Sequence, residues 1–398
     1  MASIAEREAA VFMRTGARVP LTLVRGEGTK VWDDDGNEYL DFIAGISTDA
    51  LGHANPVMLK AIREQSEQLI HVSNIFYTVP QIELAELLVE QSGLSSTFFC
   101  NSGAEANEGA IKLAHKWGRD HRDGSYEIIT AENAFHGRTL TTVTATGNPR
   151  YMDPFGPLPG GFVYVPYNDI EALRSAITDK TCAIMLEPVQ GEGGVNVPDP
   201  EYLPAVRALC DEQNVLLFLD EIQTGIGRTG KMFGFQHFDL KPDIMTLAKG
   251  LGGGIPVAAI MANEKASVFE PGDHGTTFGG QPFATAVALA VMRTIVEEDI
   301  PGQVAEKGVY LERTLRALED THPEVIDVHG QGLLVALELK HDIAADVAGA
   351  ARERGLLCNN VRPNRVRLMP PLTVSEAELD RAVEILEASL TAVAEADD

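Results

Sequence analysis

The sequence predicts an α/β protein built on a doubly wound, mostly parallel sheet, with a smaller α/β domain beside it. Short apolar runs such as Leu216–Leu219 and Ile244–Leu247 are flanked by glycine and proline, which is typical of buried parallel strands. Between about residues 50 and 295 these runs alternate with segments of helix length. Such an alternation predicts strands joined by right-handed crossovers.

The N-terminal third contains a hairpin signal followed by helices. Residues 24–42 alternate apolar and polar side chains around Asp35-Gly36, a dipeptide that predicts a tight turn between two strands. From 55 to 70 and from 80 to 90 the apolar period becomes helical. Residues 98–117 predict a strand, a turn of small residues and a long helix.

Two further strands are predicted at Glu127–Thr130 and Cys182–Leu186. The acidic segment that ends in Pro301-Gly302 predicts a hinge. Beyond it, helices flank the strand segments Gly330–Leu339 and Val366–Met369, which gives the smaller domain. We expect three parts: residues 1–50 joining the small domain, residues 51–300 as the large domain, and residues 301–398 as the small C-terminal domain.

The composition describes a globular protein and excludes several function classes. The chain has 398 residues, 44% hydrophobic and 23% charged, and no apolar run approaches the length of a membrane span. Its N-terminus lacks the basic and apolar regions of a signal peptide. Four widely spaced cysteines form no C-x-x-C pair, so we expect neither a metal site nor disulfides, and a cytoplasmic setting.

The net charge of −26 argues against nucleic-acid binding, which requires basic stripes. An anionic substrate would be repelled at long range by the same charge. Such a substrate would therefore need a few arginines inside a cleft, where the low dielectric strengthens their attraction.

The strongest functional signal is the pair Asp220 and Lys249, each of which ends or follows an apolar run. If the two strands are neighbours, both side chains reach the carboxyl-end rim, where open α/β sheets bind ligands. A lysine amine and a carboxylate suit a pyridinium cofactor, the first as a Schiff-base former and the second as partner of the ring nitrogen. Taken singly, Lys249 fits an exposed lysine and Asp220 a helix cap or an ion-pair partner.

The same stretch contains a G-x-G-x-x-G pattern at residues 225–230. A dinucleotide fold also needs a helix opening on these glycines and an acidic residue about 20 positions later. Neither feature follows here. We therefore predict a glycine-rich turn that passes close to the cofactor, and rank nicotinamide chemistry low.

Ser102, Gly103 and Ala104 begin the long predicted helix with small side chains. Their free amides and the helix macrodipole would suit a phosphate group. The alternative is a plain capping box with Glu105.

Two loops add weaker signals. Phe135 could stack on a flat ring, and Arg138 could hold a carboxylate by two parallel hydrogen bonds. Glu192 follows a buried strand within a glycine loop, where it could contact a ligand or be merely solvated.

Together these segments resemble the class III aminotransferases, pyridoxal 5′-phosphate enzymes of fold type I. The resemblance runs from about residue 20 to the C-terminus. It rests on seven segments in order: FFCNSGAEANE, FHGRT, EPVQGEGGV, LLFLDEIQTGIGRTGK, LAKGLGGGIP, HGTTFGGQP and VRLMPPLT.

The resemblance implies a role for each matching residue. Lys249 matches the Schiff-base lysine, which also acts as general acid and base, and Asp220 the partner of the pyridinium nitrogen. The other cofactor contacts it implies are Gln223 at the ring hydroxyl, Phe135 and Ile222 on the two ring faces, Gly103 and Ala104 at the phosphate, and Thr277 at the phosphate of the neighbouring subunit. It therefore implies a homodimer with shared sites.

Three charged residues match the substrate contacts of the family. Arg138 matches the residue that holds the distal carboxylate of the amino donor, and Arg367 the one that binds the α-carboxylate of glutamate or 2-oxoglutarate. Glu192 matches a gate that pairs with Arg367 while the amine donor reacts. Thr276 is a further expected substrate contact.

Within the family the segments are most similar to acetylornithine aminotransferases, which implies N-acetylornithine as donor and 2-oxoglutarate as acceptor. The alternatives are another ω-amino donor (ornithine, succinylornithine, 4-aminobutyrate or a lysine precursor), or an aminomutase or racemase. Three departures concern the donor: Gly16 replaces a pocket tyrosine, Gln281-Pro-Phe replaces Asn-Pro-Leu, and Ser47-Thr-Asp is more polar than usual.

Overall fold

The computed structural model describes residues 2–397. Within this range the strands are β1 (Leu23–Glu27), β2 (Lys30–Asp33), β3 (Glu38–Asp41), β4 (Ser96–Cys100), β5 (Glu127–Ala131), β6 (Phe162–Val165), β7 (Thr181–Leu186), β8 (Leu216–Asp220), β9 (Ile244–Leu247), β10 (Ala258–Ala262), β11 (Val325–Gln331), β12 (Leu334–Leu339), β13 (Leu356–Leu357), β14 (Asn359–Arg362) and β15 (Arg365–Leu368).

The helices in the same range are α1 (Ile4–Val11), α2 (Ala44–Ser47), α3 (Pro56–Ser66), α4 (Val79–Ser92), α5 (Gly103–His121), α6 (Leu140–Thr146), α7 (Pro149–Met152), α8 (Ile170–Ala176), α9 (Tyr202–Gln213), α10 (Pro282–Glu297), α11 (Ile300–Arg316), α12 (Ala344–Glu353) and α13 (Glu376–Asp397). No helix of the described residues is both long and apolar enough to cross a bilayer.

The central sheet has seven strands in the order β4-β10-β9-β8-β7-β5-β6. All neighbours pair in parallel except β10, which runs antiparallel to both β4 and β9. Every residue of β7, β8 and β9 is buried, as expected for parallel strands covered by helices on both faces. The predicted doubly wound, mostly parallel sheet is therefore confirmed.

The N-terminal hairpin and the C-terminal part of the chain share a second sheet, in the order β1-β2-β3-β13. Strand β13 pairs in parallel with β3, joining Leu356 to Leu40 and Leu357 to Asp41. A third, antiparallel sheet has the order β11-β12-β15-β14. The three-part domain division stays a prediction, although these pairings agree with an N-terminal segment that joins the C-terminal part.

The predicted hinge at Pro301-Gly302 is wrong in its position. Both residues lie in the first turn of α11, where the fixed φ of proline fits the helix and its missing N–H leaves no bond unmade. The chain turns two residues before Pro301, at Asp299, which has a left-handed φ of 47° and accepts a hydrogen bond from the Gly302 amide.

The four cysteines are free and buried, at Cys100, Cys182, Cys210 and Cys358. Burial raises the pKa of each thiol to about 12. None of them is therefore a thiolate near neutral pH.

Candidate active site

A cavity of about 460 Å³ opens at the carboxyl ends of the central strands. This is the edge at which open α/β sheets bind their ligands, and the volume suits a small-molecule site. Ten residues singled out from the sequence line it: Ser102, Gly103, Ala104, Phe135, Arg138, Glu192, Asp220, Ile222, Gln223 and Lys249. The fold thus brings together residues that lie up to 147 positions apart (249 − 102).

Asp220 and Lys249 reach the cavity from neighbouring strands. Strand β8 ends at Asp220, which pairs in register with Thr246 of β9, and Lys249 follows three residues later. The backbone of Lys249 has a φ of 42°, a left-handed conformation that costs energy for any residue with a side chain and that often marks functional sites. Burial lowers the pKa of its amine to about 8, although Glu192 acts in the opposite direction.

Asp220 is held by three hydrogen bonds. Its Oδ2 accepts from Asn107 Nδ2 and is paired with His136 Nδ1, both at 2.8 Å, and its Oδ1 accepts from the Ile222 amide at 3.0 Å. Thr246 Oγ1 in turn donates to Asn107 Oδ1 at 2.8 Å, so the amide orientation is fixed. The carboxylate therefore faces the cavity in one defined orientation.

His136 and Asn107 were missed by the sequence reasoning. His136 lies within the FHGRT segment, yet nothing in that segment distinguishes it from a core histidine. Its side chain is fully buried against Asp220, and its Nε2 has no hydrogen-bond partner among the described residues. Asn107 lies on the buried face of α5, where the adjoining buried positions of the helix are alanines and a glycine.

The start of α5 leaves two backbone amides free to face the cavity. Ser102 caps the helix by accepting from the Glu105 amide at 3.2 Å, and the Glu105 carboxylate accepts from the Asn101 amide at 2.6 Å. The Ser102 cap is therefore present, but the reciprocal bond of a capping box is not, since Glu105 accepts from the residue before the cap. An α-helix leaves its first amides without intrahelical partners, so Gly103 and Ala104 can donate to an anion that enters the cavity.

Phe135 and Ile222 line the cavity near this helix start. A Cβ atom added to Gly103 would lie 2.7 Å from Cδ1 of Ile222, so a larger residue at 103 would displace that side chain. The Phe135 amide donates to Oε2 of Glu187 at 3.2 Å. Glu187 also lines the cavity, and no role was predicted for it; its burial, followed by the nearby charge of Asp220, raises its pKa well above the usual value.

Arg367 lies behind the cavity wall and is 1% exposed. Its Nη1 donates to Glu192 Oε1 at 2.7 Å and to the Gly191 carbonyl at 3.1 Å. Gln223 Nε2 donates to the same Glu192 oxygen at 3.3 Å. Burial alone would raise the pKa of Glu192, but the charges of Arg367 and Lys249 outweigh it and hold that pKa below its usual value.

Thr276 and Thr277 do not line this cavity. Thr276 accepts a 3.3 Å hydrogen bond from Asn101 Nδ2, and Thr277 is exposed at the protein surface. Neither Gly16 nor Gln281, two of the positions that depart from the family pattern, lines the cavity either.

Thr48, the third of these departures, does line the cavity. It follows a left-handed turn at α2, in which Ala44 has a φ of 46°, Ile46 of 60° and Ser47 of 65°. Asp41 holds the entry to this turn, because its Oδ1 accepts from the Ile43 and Ala44 amides at 3.0 and 2.9 Å.

The glycine-rich turn at residues 225–230 exists, but none of its residues lines the cavity. A Cβ atom at Gly230 would lie 3.0 Å from Ala305 of α11, and one at Gly227 would lie 3.3 Å from Leu372. The prediction that this turn passes close to the cofactor is therefore wrong, because its glycines contact the C-terminal part of the chain instead of the cavity. Its glycines allow the C-terminal part of the chain to pack against the central sheet.

Comparison with known proteins gives consistent similarities. A family model described as aminotransferase class-III matches residues 11–390. An acetylornithine aminotransferase of Caldanaerobacter subterraneus is 51% identical over 382 residues, covering 96% of this chain and 97% of the relative. One from Methanocaldococcus jannaschii is 52% identical over 379 residues, covering 94% and 95%.

Solved structures agree in fold. The ornithine aminotransferase of Toxoplasma gondii superposes with a TM-score of 0.95 at 35% identity, covering 98% of this chain and 95% of that one. An acetylornithine aminotransferase from Elizabethkingia anophelis gives a TM-score of 0.87 at 34% identity, covering 97% and 98%. With a family match across nearly the whole length, this chain belongs to the class III aminotransferases.

Proposed function

We propose that the protein uses pyridoxal 5′-phosphate to move the terminal amino group of N-acetylornithine to 2-oxoglutarate, giving N-acetylglutamate semialdehyde and glutamate. One observation carries the cofactor and the reaction type: Lys249 and Asp220 open on a single cavity from neighbouring parallel strands. The choice of donor is supported by relatives about half identical over nearly the whole chain that are named acetylornithine aminotransferase.

The groups that line the cavity match the chemical groups of this cofactor. The free amides of Gly103 and Ala104 would hold the phosphate at the positive end of α5. Phe135 and Ile222 would enclose the ring, Asp220 would hold its nitrogen protonated, and Gln223 would contact the ring hydroxyl. When bound, the cofactor supplies an aldehyde that reacts with amines and a ring that withdraws electrons.

Lys249 is placed to move the proton. With the pKa of its amine lowered to about 8 by burial, Nζ is partly neutral at physiological pH and can accept a proton from the substrate carbon. The protonated amine can then return that proton to a neighbouring atom. The fixed hydrogen bonds to Asp220 keep its carboxyl group in one orientation at the opposite end of the site.

Two arginines would bind the substrates despite the acidic surface. Arg138 would hold the distal carboxylate of the donor, and Arg367 the α-carboxylate of 2-oxoglutarate. Glu192 would act as a gate, since its bond to Arg367 covers that charge until a dicarboxylate displaces it. One cavity could then serve both substrates in turn. Such an acceptor site also argues against an aminomutase or racemase.

We infer that the protein forms a homodimer with shared sites. Residues near Thr277 form an exposed apolar surface, with exposed fractions of 81% for Ile75, 96% for Tyr77 and 60% for Phe278. Asn74 joins the two segments by donating from Nδ2 to the Gly279 carbonyl at 2.8 Å. A surface of this kind is typical of subunit interfaces, and it would bring Thr277 to the phosphate and Thr276 to the substrate of the partner.

Ornithine is a second candidate donor, because the chain superposes on an ornithine aminotransferase with a TM-score of 0.95. The two donors differ in the charge of the α-nitrogen, which is neutral once acetylated. A half-reaction assay separates them, since each donor alone bleaches the cofactor band at its own rate. We expect N-acetylornithine to give the largest second-order rate constant for the half-reaction. A smaller value than that of ornithine would contradict our choice.

The cofactor proposal is tested by the visible absorption of the purified protein. Lys249→Ala should remove or shift the band, while Lys231→Ala, a matched change at an exposed lysine, should leave it intact. A colourless wild type supplied with ample pyridoxal phosphate would contradict the proposal. For shared sites, mixing inactive Lys249→Ala and Thr277→Val dimers should restore activity in hybrids that retain one intact site.

A further inference from the structure

The guanidinium of Arg138 lies over two aromatic rings, those of Tyr151 and Phe135. Its Cζ is 3.7 Å from the ring centroid of Tyr151 and 5.5 Å from that of Phe135. Among residues 2–397 no carboxylate oxygen lies within 4.0 Å of its nitrogens, although the chain has 58 acidic residues. Arg138 is thus held by ring faces and keeps its N–H donors available for a ligand.

The loop that carries Arg138 is fixed on its N-terminal side. The His136 amide donates to Thr146 Oγ1 at 2.9 Å, and its side chain is locked against Asp220. Gly137 has a φ of 136°, and a Cβ there would lie 2.5 Å from Oγ1 of Thr142, so only glycine fits. These contacts constrain the backbone before Arg138 but not its long side chain, which is exposed.

Tyr151 supplies the missing constraint from a different element. It lies in the short helix α7, which Asn148 caps by accepting from the Arg150 amide at 3.0 Å. The ring is partly buried, and no hydrogen bond is formed by its hydroxyl among the described residues. The contact with Arg138 is therefore a property of the ring and not of the hydroxyl group.

We propose that Tyr151 is a positioning residue that holds the Arg138 guanidinium at the cavity and so sets the preference for amino donors that carry a distal carboxylate. This inference rests on the proposed function of Arg138. A cation–π contact fixes the plane of the guanidinium without using its N–H groups, so that two parallel bonds to a carboxylate can form without prior rearrangement. An unrestrained arginine would lose side-chain entropy on binding the same group.

The test compares Tyr151→Leu with Tyr151→Phe in the holoenzyme. Half-reactions are followed with N-acetylornithine, with ornithine, and with 1,4-diaminobutane, which has no carboxylate. We expect Tyr151→Leu to raise the apparent KM for both carboxylate donors roughly three- to fivefold, the range typical of an exposed cation–π contact, with little change in the maximal rate. The second-order rate constant for 1,4-diaminobutane should stay unchanged. Tyr151→Phe and the neighbouring control Met152→Leu should match wild type with all three donors.

A double-mutant cycle shows whether the effect passes through Arg138. In an Arg138→Gln background, Tyr151→Leu should cause no further rise in KM. Additive effects, an equal loss with 1,4-diaminobutane, or failure of Tyr151→Phe to preserve function would overturn the inference. If wild type reacts with ornithine but not with N-acetylornithine, the proposed donor is wrong, whereas the inference is still decided by the ornithine data.

Discussion

Arg367 and Glu192 form a 2.7 Å ion pair in which the arginine is almost completely buried and the acid faces the cavity. Breaking such a pair leaves a buried charge uncompensated, unless an incoming carboxylate replaces the lost one. An acceptor with two carboxylates can supply the replacement. The carboxylate of the amine donor would instead be held by Arg138, so the Arg367–Glu192 pair would stay intact while the donor reacts.

Glu192→Gln should shift the balance between the two substrates. The neutral amide weakens the competition for Arg367, so the apparent KM for 2-oxoglutarate should fall about tenfold, the difference between a charged and a neutral hydrogen bond. Steady-state kinetics with varied acceptor would measure it. Glu264→Gln, a remote exposed change of equal charge, serves as control, and an unchanged KM in Glu192→Gln would exclude the gate.

The reaction of cofactor-free protein with pyridoxal phosphate should follow the ionisation of Lys249. Only the neutral amine is nucleophilic, and burial lowers its pKa to about 8 from the ordinary value of 10.5. The second-order rate constant should therefore rise about tenfold per pH unit below 8 and level off above it. Stopped-flow absorbance would give this profile, and a rate that still climbs at pH 10 would mean that the amine is solvated.

Asn107→Ala should destabilise the protein. The asparagine donates 2.8 Å hydrogen bonds to Asp220 and to the His136 carbonyl, and it accepts one from Thr246. Each buried group left without its partner costs about 1–3 kcal/mol, so we expect a loss of roughly 3 kcal/mol. Urea unfolding would measure it. Asn360→Ala at an exposed site should stay within about 0.5 kcal/mol of wild type.

Gly191→Ala should lower activity through a steric effect on Gln223. A Cβ at position 191 would lie 1.5 Å from Oε1 of Gln223, so that side chain must move away from Arg367 and Glu192. We expect at least a tenfold loss in kcat/KM, comparable to about 1.4 kcal/mol. Gly349→Ala in α12 meets nothing within 4 Å and should be active and slightly more stable. Full activity in Gly191→Ala would contradict the contact.

Glu187→Gln should change how stability depends on pH. Burial raises the pKa of Glu187 in the folded state, while the unfolded side chain ionises near 4.5. As pH rises above 4.5, the unfolded state loses this proton and the folded state retains it, so the unfolding free energy of wild type declines until the folded pKa is passed. Glutamine cannot ionise and so lacks this decline. The unfolding temperature of the variant minus that of wild type should therefore increase as the pH is raised from 5 to 8. A constant difference across this range would show that Glu187 is not the source.

The central strands could be predicted from sequence because burial on both faces makes them uninterrupted apolar runs. Ile244–Leu247 is observed with the predicted bounds, and Leu216–Leu219 is extended by Asp220 alone. The antiparallel direction of β10 could not be foreseen, since a five-residue apolar strand carries no signal of its direction. A hinge was predicted at Pro301-Gly302, within the first turn of α11, because a proline can open a helix as well as break one.

Asp220 and Lys249 could be predicted as site residues for the same reason. Each follows a recognisable apolar strand, and the carboxyl ends of parallel strands lie at the edge of the sheet where ligands bind. The support of Asp220 was missed because its partners are remote, with Asn107 113 residues and His136 84 residues away in sequence. Glu187 was passed over because it resembles an ordinary loop acid. Its burial becomes evident only once β5, β7 and β8 are side by side.

The buried thiols give this enzyme a built-in reporter of conformational opening. A thiol-directed reagent attacks the thiolate, and in the native state each of the four sulfurs is both enclosed and protonated. Labelling therefore requires the surrounding segment to open first. Cys100 adjoins the helix start at the cavity, and Cys358 lies beside β13, so labelling rates at these two sites would compare the opening of the catalytic edge with that of the sheet shared by the two ends of the chain.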